Sequence, residues 1–245
     1  MNATAAFEPS ARELVAAVSD AEYARLLGLP RTRALEGDLA LRAQAARAWY
    51  AAHGRPWVAA RRSAIARLDA ESVALETGQV FHSRTLASRL ATGEAHGLVA
   101  LAVTAGPQVD EESQRHWQDG RPDEGYFLDR LGAALAEHLV HWVSVRVCRE
   151  SEPGGETVLA HLSPGCGGWD FEEQARLMQV IAGGAALAAG PLRMLESGML
   201  TPKNSLLAVR GLTRRRVAPS AADACRACDL SPCTFRRAPY RGVAA

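Results

Sequence analysis

Lysine is nearly missing from this chain: Lys203 stands alone among 28 basic residues, and all the others are arginine. With alanine and glycine also abundant, this reads as a coding bias and carries no functional message. An excess of charge of either sign is missing too. The 28 basic and 27 acidic residues leave a formal charge of +1, which excludes the broad basic footprint of a nucleic-acid binder. No stretch approaches the roughly 20 uninterrupted apolar residues of a membrane span. Met1 to Ala16 carries Glu8, Arg12 and Glu13, where a secretory leader would show a basic start and an apolar core. The expected compartment is therefore the cytoplasm, with neither nucleic acid nor membrane among the partners. Thiols stay reduced there, so the five cysteines suggest metal or redox chemistry before they suggest disulfides. Internal repeats are absent, and nothing is low in complexity beyond the alanine enrichment.

What is present suits an ordinary core. The 245 residues, 48% of them hydrophobic, fit one large domain or one domain with an appendage. A chain this long buries roughly 70–75% of the surface its unfolded form exposes, with no disulfide scaffold. Residues 11–28 carry Leu14, Val15, Val18, Tyr23, Leu26 and Leu27 at helical spacing and end at Pro30. A second helical run covers 34–52, and His53-Gly54-Arg55-Pro56 breaks it. Residues 57–72 read as mixed. Val80-Phe81 suggests a short strand, followed by a helix to Leu90. Gly97 to Thr104, GLVALAVT, is an apolar run with the look of a buried strand, closed by Gly106-Pro107. Phe127 to Trp142 reads as a long helix with Leu128, Leu131, Leu135 and Leu139 on one face, and 143–147 either continue it or begin a strand. Thr157 to Leu159 and Ser205 to Leu212 suggest further strands. Between them, Asp170 suits the N-cap of a helix from Phe171 to Ala182. Strands interleaved irregularly with helices point to the α+β class. The expected divisions are a helical N-terminal region over 1–72, an α+β domain over 73–215 and a Cys-rich tail over 216–245.

The tail holds the sharpest local motif, Cys225-x-x-Cys228-Asp-Leu-Ser-Pro-Cys233. Two cysteines separated by two residues direct both thiolates at one ion, and the third follows a proline turn. Tetrahedral zinc and iron–sulfur clusters both use such a set, while uncoordinated thiols remain the third reading. The motif lacks a fourth ligand. Cys166 is the candidate, with His161 possible, whereas Cys148 sits in an apolar run and reads as a buried small residue. The arginines around the motif suit an acidic partner or simply a solvated face.

Three segments together resemble the activation domain of cobalamin-dependent methionine synthase. The first is Asp129-Arg-Leu-Gly-Ala-Ala-Leu-Ala-Glu137-His-Leu, similar to that family's long helix. The second, His161-Leu-Ser-Pro164-Gly165-Cys166-Gly167-Gly168-Trp169, is similar to its Arg-x-x-Pro-Gly-Tyr loop. The third, Glu196-Ser-Gly-Met-Leu-Thr-Pro202-Lys203-Asn204-Ser205, is similar to its Thr-Glu-Ser-x-x-Met-x-Pro-x-x-Ser segment. The resemblance runs from roughly 75 to 215. It departs from the family where His161 replaces the loop arginine, Cys166 the loop tyrosine and Ala133 the ligand-binding glutamate, with Glu137 one helical turn further on.

The resemblance implies a twisted antiparallel β-sheet flanked by helices. It also implies S-adenosylmethionine as ligand, cobalamin carried by the partner, and a corrinoid protein such as a methionine synthase lacking this domain as that partner. The activity implied is reductive reactivation, in which one electron and a methyl group restore an oxidised corrinoid, so an electron-donor protein belongs among the expected partners. His161, Pro164, Gly165, Cys166, Gly167 and Glu137 are the expected ligand residues. Cys225, Cys228, Cys233 and Cys166 are the expected metal ligands, for an iron–sulfur cluster or zinc. Taken without the resemblance, the glycine loop is also a plain tight turn before a helix. The competing functional reading is a non-catalytic module that binds a corrinoid or a partner protein.

Overall fold

A computed structural model describes residues 4–30, 33–183 and 190–215. The chain begins with β1 (Ala5–Phe7), α1 (Ala11–Ala17), α2 (Asp20–Leu26) and α3 (Gly37–His53). Then come β2 (Trp57–Leu68), β3 (Ser72–Leu75), β4 (Val80–His82), α4 (Arg84–Thr92) and β5 (Gly97–Thr104). Two helices follow, α5 (Pro107–Gln118) and α6 (Pro122–Ser151). The described chain closes with β6 (Thr157–Val158), α7 (Glu173–Ala182), β7 (Arg193–Met194), β8 (Leu200–Thr201) and β9 (Ser205–Thr213).

The class is α+β, built on a curled antiparallel sheet of order β4-β3-β2-β5-β9-β6, while β7 and β8 pair separately. β2 pairs with β5 from Trp57 to Ala64, and its other edge takes β1 at 58–60 and β3 at 65–68. β5 pairs with β9 along its whole length, Gly97 opposite Leu212 and Thr104 opposite Ser205. Both faces of this sheet are covered, and so all eight positions of β5 are buried. That is why its sequence is continuously apolar instead of alternating.

Strand alternation divides the core between the two faces. Val58, Ala60, Val99, Leu101, Val103, Ala208 and Leu212 pack with α1, α2, α3 and α6. Trp57, Ala59, Leu98, Ala100, Ala102, Leu207 and Val209 pack with α4, α7, Leu162 and Trp169. On α6, Leu128, Leu131, Leu135 and Leu139 are at most 2% exposed, and each contributes about 1.5–3 kcal/mol by leaving water. The first three helices join this core directly. The Tyr23 hydroxyl donates to the Phe127 carbonyl at 2.6 Å and the Tyr50 hydroxyl to the Ala105 carbonyl at 2.8 Å.

Several local expectations change. The helix read over 11–28 is two short helices, because Val18 is extended and the Ser19 hydroxyl accepts the Glu22 N–H at 3.2 Å, starting α2 afresh. The mixed stretch 57–72 holds β2 over Trp57–Leu68, the longest strand among the described residues, with β3 beginning at Ser72. Residues 143–147 continue the helix α6. Asp170 does not cap α7 with its side chain: residues 171–172 form a turn, and the Asp170 carbonyl accepts the Glu173 N–H at 3.2 Å. α5 has no counterpart in the sequence reading. It buries only Val109 and Ser113, so it shows no apolar period.

Candidate functional site

Residues 159–162 continue from β6 along the same edge of β9. The Leu159 N–H donates to the Gly211 carbonyl at 2.9 Å, and Leu162 and Val209 exchange two bonds of 2.9 and 2.8 Å. The chain then turns sharply. Cys166 N–H donates to the Ser163 carbonyl at 3.1 Å, Trp169 N–H to the Cys166 carbonyl at 2.9 Å, and Gly165 N–H to the Trp169 carbonyl at 2.8 Å. Gly165 and Gly168 take φ of +86° and +75°, the left-handed region that glycine alone enters without penalty. Gly168 has a second reason to lack a side chain: a Cβ there would stand 2.2 Å from the Thr85 hydroxyl. Its carbonyl accepts from the Ser83 hydroxyl at 2.8 Å, and Ser83 is also the N-cap of α4.

The loop is therefore bolted to α4 from one side and to the core from the other. Pro164 is buried, and Trp169 is 2% exposed, its ring edge-on to Phe81 at 5.7 Å. Gly165 and Gly168 lie at the surface, with His161, Cys166 and Gly167 half-buried. Turn formation uses the N–H groups of Gly165 and Cys166. Those of Gly167 and Gly168 have no acceptor among the described residues. The buried Ser163 hydroxyl and Trp169 indole N–H have no partner there either. The loop thus offers hydrogen-bond donors, suited to a ligand rich in acceptors.

The segment 195–205 reaches from this loop to α6. Its first part closes a turn in which Leu195 N–H donates to the Met199 carbonyl at 2.8 Å and Gly198 N–H to the Leu195 carbonyl at 2.9 Å. The Gly198 carbonyl takes the Gln174 amide at 2.5 Å. Phe171 packs so closely on Gly198 that a Cβ there would lie 2.9 Å from its ring, and the same ring borders Gly165. The second part meets the N-terminal half of α6. Lys203 pairs with Asp129 at 2.7 Å, and the Asn204 amide donates to the same carboxylate at 3.3 Å. Lys203 N–H donates to Asp110 on α5 at 2.7 Å. Gly132 permits this approach, because a Cβ there would lie 2.7 Å from the Asn204 amide nitrogen.

Burial by itself would raise the Asp129 carboxyl. Hydrogen bonds and charge from Lys203 and Arg130 overcome it and hold the group below the usual carboxylate range. Asp110 goes the other way. Burial pushes it up against the Lys203 backbone bond and charge, and the negative charge of Asp129 adds to the rise.

Of the residues expected from sequence, His161, Pro164, Gly165, Cys166 and Gly167 fall together in this one loop. Glu137 does not join them: its carboxylate pairs with Arg25 of α2 at 3.4 Å, on the α6 side of the sheet. The Pro202–Ser205 stretch follows the 195–199 turn, whose Gly198 meets the Phe171 ring that also borders Gly165. Cys166 is a half-buried thiol, and among the described residues no three His, Cys, Asp or Glu gather to hold a metal. Cys225, Cys228 and Cys233 lie outside the described residues. Sequence reasoning missed Asp110, Ser83 and Thr85, since each acts through a neighbour far along the chain.

No protein-family model matches the chain, and no curated protein sequence matches it. A solved structure does: the MetH reactivation domain bound to AdoHcy. The similarity covers 91% of this chain and 83% of that one, with a TM-score of 0.66 and 14% sequence identity. At that identity the likeness establishes the fold.

Proposed function

We propose that this chain serves a corrinoid enzyme as a reactivation accessory, holding S-adenosylmethionine in reach of the partner's cobalamin. One observation carries the reading. The three segments that resemble the activation domain are joined physically, because the 195–205 stretch touches Phe171 beside the glycine loop at one end and Asp129 of α6 at the other. The matched fold supports it further.

Within this reading His161, Pro164, Gly165, Cys166 and Gly167 line the ligand. Gly167 and Gly168 present unspent N–H groups to its oxygens or nitrogens, while Ser83 and Trp169 keep the loop from shifting. Glu137 is left out of this set, since its carboxylate is engaged against α2. When bound, S-adenosylmethionine supplies a methyl group on a positively charged sulfur. The chain's contribution is placement of that methyl, which is catalysis by orientation. To test it, the cob(II)alamin form of a methionine synthase lacking its own activation domain is mixed with this protein, a reductant and methyl-labelled S-adenosylmethionine. Label should appear on cobalt in proportion to the added protein, and its absence removes the reading.

The second reading, a corrinoid- or partner-binding module without ligand chemistry, draws on the loss of the family's arginine at His161 and on the internal use of two loop N–H groups. Equilibrium dialysis with S-adenosylmethionine separates the two. The metal centre proposed for Cys225, Cys228 and Cys233, an iron–sulfur cluster or zinc, is common to both. Anaerobic purification with metal analysis and an absorption spectrum checks it.

A further inference from the structure

Phe171, Leu195 and Met199 are 45%, 51% and 58% exposed and gather about the 195–199 turn beside the glycine loop. Single exposed apolar side chains are ordinary, whereas several around one turn mark a contact surface. Phenylalanine and methionine are also residue types that the centres of interfaces favour. The Phe171 ring stands 2.9 Å from a Cβ built on Gly198 and 3.5 Å from one built on Gly165, so the patch runs on into the loop. Three exposed carboxylates belong to the same stretches, Asp170 and Glu172 on either side of Phe171 and Glu196 next to Leu195. None of these side chains has an ion-pair partner among the described residues. The arginines close by in the chain are already engaged: Arg176 takes Glu173 at 2.5 Å, and Arg193 turns to the carbonyls of Gly190 and Leu192.

These charges narrow what can cover the patch. Nucleic acid and anionic lipid bring phosphates, which uncompensated carboxylates repel. A second copy related by a two-fold axis would set the same acids against themselves. An uncharged apolar partner would draw the carboxylates out of water without pairing them, which costs binding. The surface that fits is an apolar tip ringed by arginine or lysine. We propose that the corrinoid-carrying protein docks here through such a surface, its apolar tip on Phe171, Leu195 and Met199 and its cations at Asp170, Glu172 and Glu196. This rests on the reading of the chain as a reactivation accessory, and adds where the partner seats and which charge it presents. Docking on the patch lays the partner against the glycine loop, because the Phe171 ring borders both. Rim charges act chiefly on the association rate and make it depend on salt, whereas the contacts at the centre set dissociation.

The test is the binding kinetics of the full-length protein with the cob(II)alamin form of a methionine synthase lacking its own activation domain. Association of the wild type should slow about ten-fold between about 0.05 and about 0.5 M sodium chloride. Asp170→Asn/Glu172→Gln/Glu196→Gln should associate as slowly in low salt as the wild type does in high salt. Glu13→Gln/Glu36→Gln/Asp38→Asn removes as much charge from α1 and the start of α3, which cover the other face of the sheet, and should associate like the wild type. Leu195→Ser/Met199→Ser should dissociate at least five-fold faster. The charge variant alters only exposed side chains, so it remains informative if the apolar variant misfolds. A charge variant that associates like the wild type, a control variant that slows as much, or a wild type that does not bind the synthase overturns the docking proposal. A wild type that sediments as a dimer and a charge variant that sediments as a monomer overturn it in favour of a second copy. The reactivation reading fails by a separate result, a wild type that binds the synthase and delivers no label to cobalt.

Discussion

Replacing Asp129 by alanine tests the joint between the 195–205 segment and α6. The carboxylate is 12% exposed and takes Lys203 at 2.7 Å, Asn204 at 3.3 Å and the Arg130 Nε at 3.2 Å. Lys203 is half-exposed, so solvent screens that pair and its loss costs no more than about 1 kcal/mol. The Asn204 amide is different. Asn204 is 7% exposed, and leaving its donor unpaired costs about 1–2 kcal/mol. The sum, about 1–3 kcal/mol for Asp129→Ala, should lower the midpoint of a urea titration without changing its slope. Asp129→Asn keeps an acceptor for Asn204 and should cost roughly half as much. Lys203→Met should cost least.

A carboxylate held below its ordinary value stabilises the native state above that value and stops doing so as pH falls through the depressed one. The difference between wild type and Asp129→Ala should therefore be constant at neutral pH and shrink only below about pH 4. Asp129→Ala within 0.5 kcal/mol of wild type, or Lys203→Met costing more than Asp129→Ala, would refute this account.

Other outcomes follow from the same geometry. Gly168→Ala puts a Cβ against Thr85 at a φ of +75°, so it should cost about 1–3 kcal/mol by thermal melt and weaken whatever binds the loop. Ser83→Ala removes both the α4 cap and the bond to the Gly168 carbonyl. It should cost about 1–2 kcal/mol, with faster hydrogen exchange in the loop. Burial holds the Tyr23 phenol, despite the Arg47 charge, and the Tyr50 phenol above their usual range. Their contribution is complete below the unfolded value near pH 10 and is lost as pH rises beyond it. Tyr50→Phe should flatten that alkaline loss in a pH series of melts, while costing about 1–2 kcal/mol at neutral pH for the bond to Ala105.

Elements that declare themselves by period or composition were legible in the linear chain. GLVALAVT is β5 to the residue, because a strand covered on both faces must be apolar throughout. The leucine face of 128–139 is the buried stripe of α6, since helical spacing depends only on local geometry. The glycine loop was likewise legible as a turn, and its five expected residues do lie together. Tertiary structure alone decided the rest. α5 is polar because one narrow side of it is buried, so no periodicity marks it. The capping competition at Ser19 divides a stretch that its apolar spacing reads as one helix. The positions of Glu137 against Arg25 and of Asp129 against Lys203 depend on pairs 112 and 74 residues apart. No local pattern encodes contacts of that span, since they exist only after the sheet has brought its two covering layers into place.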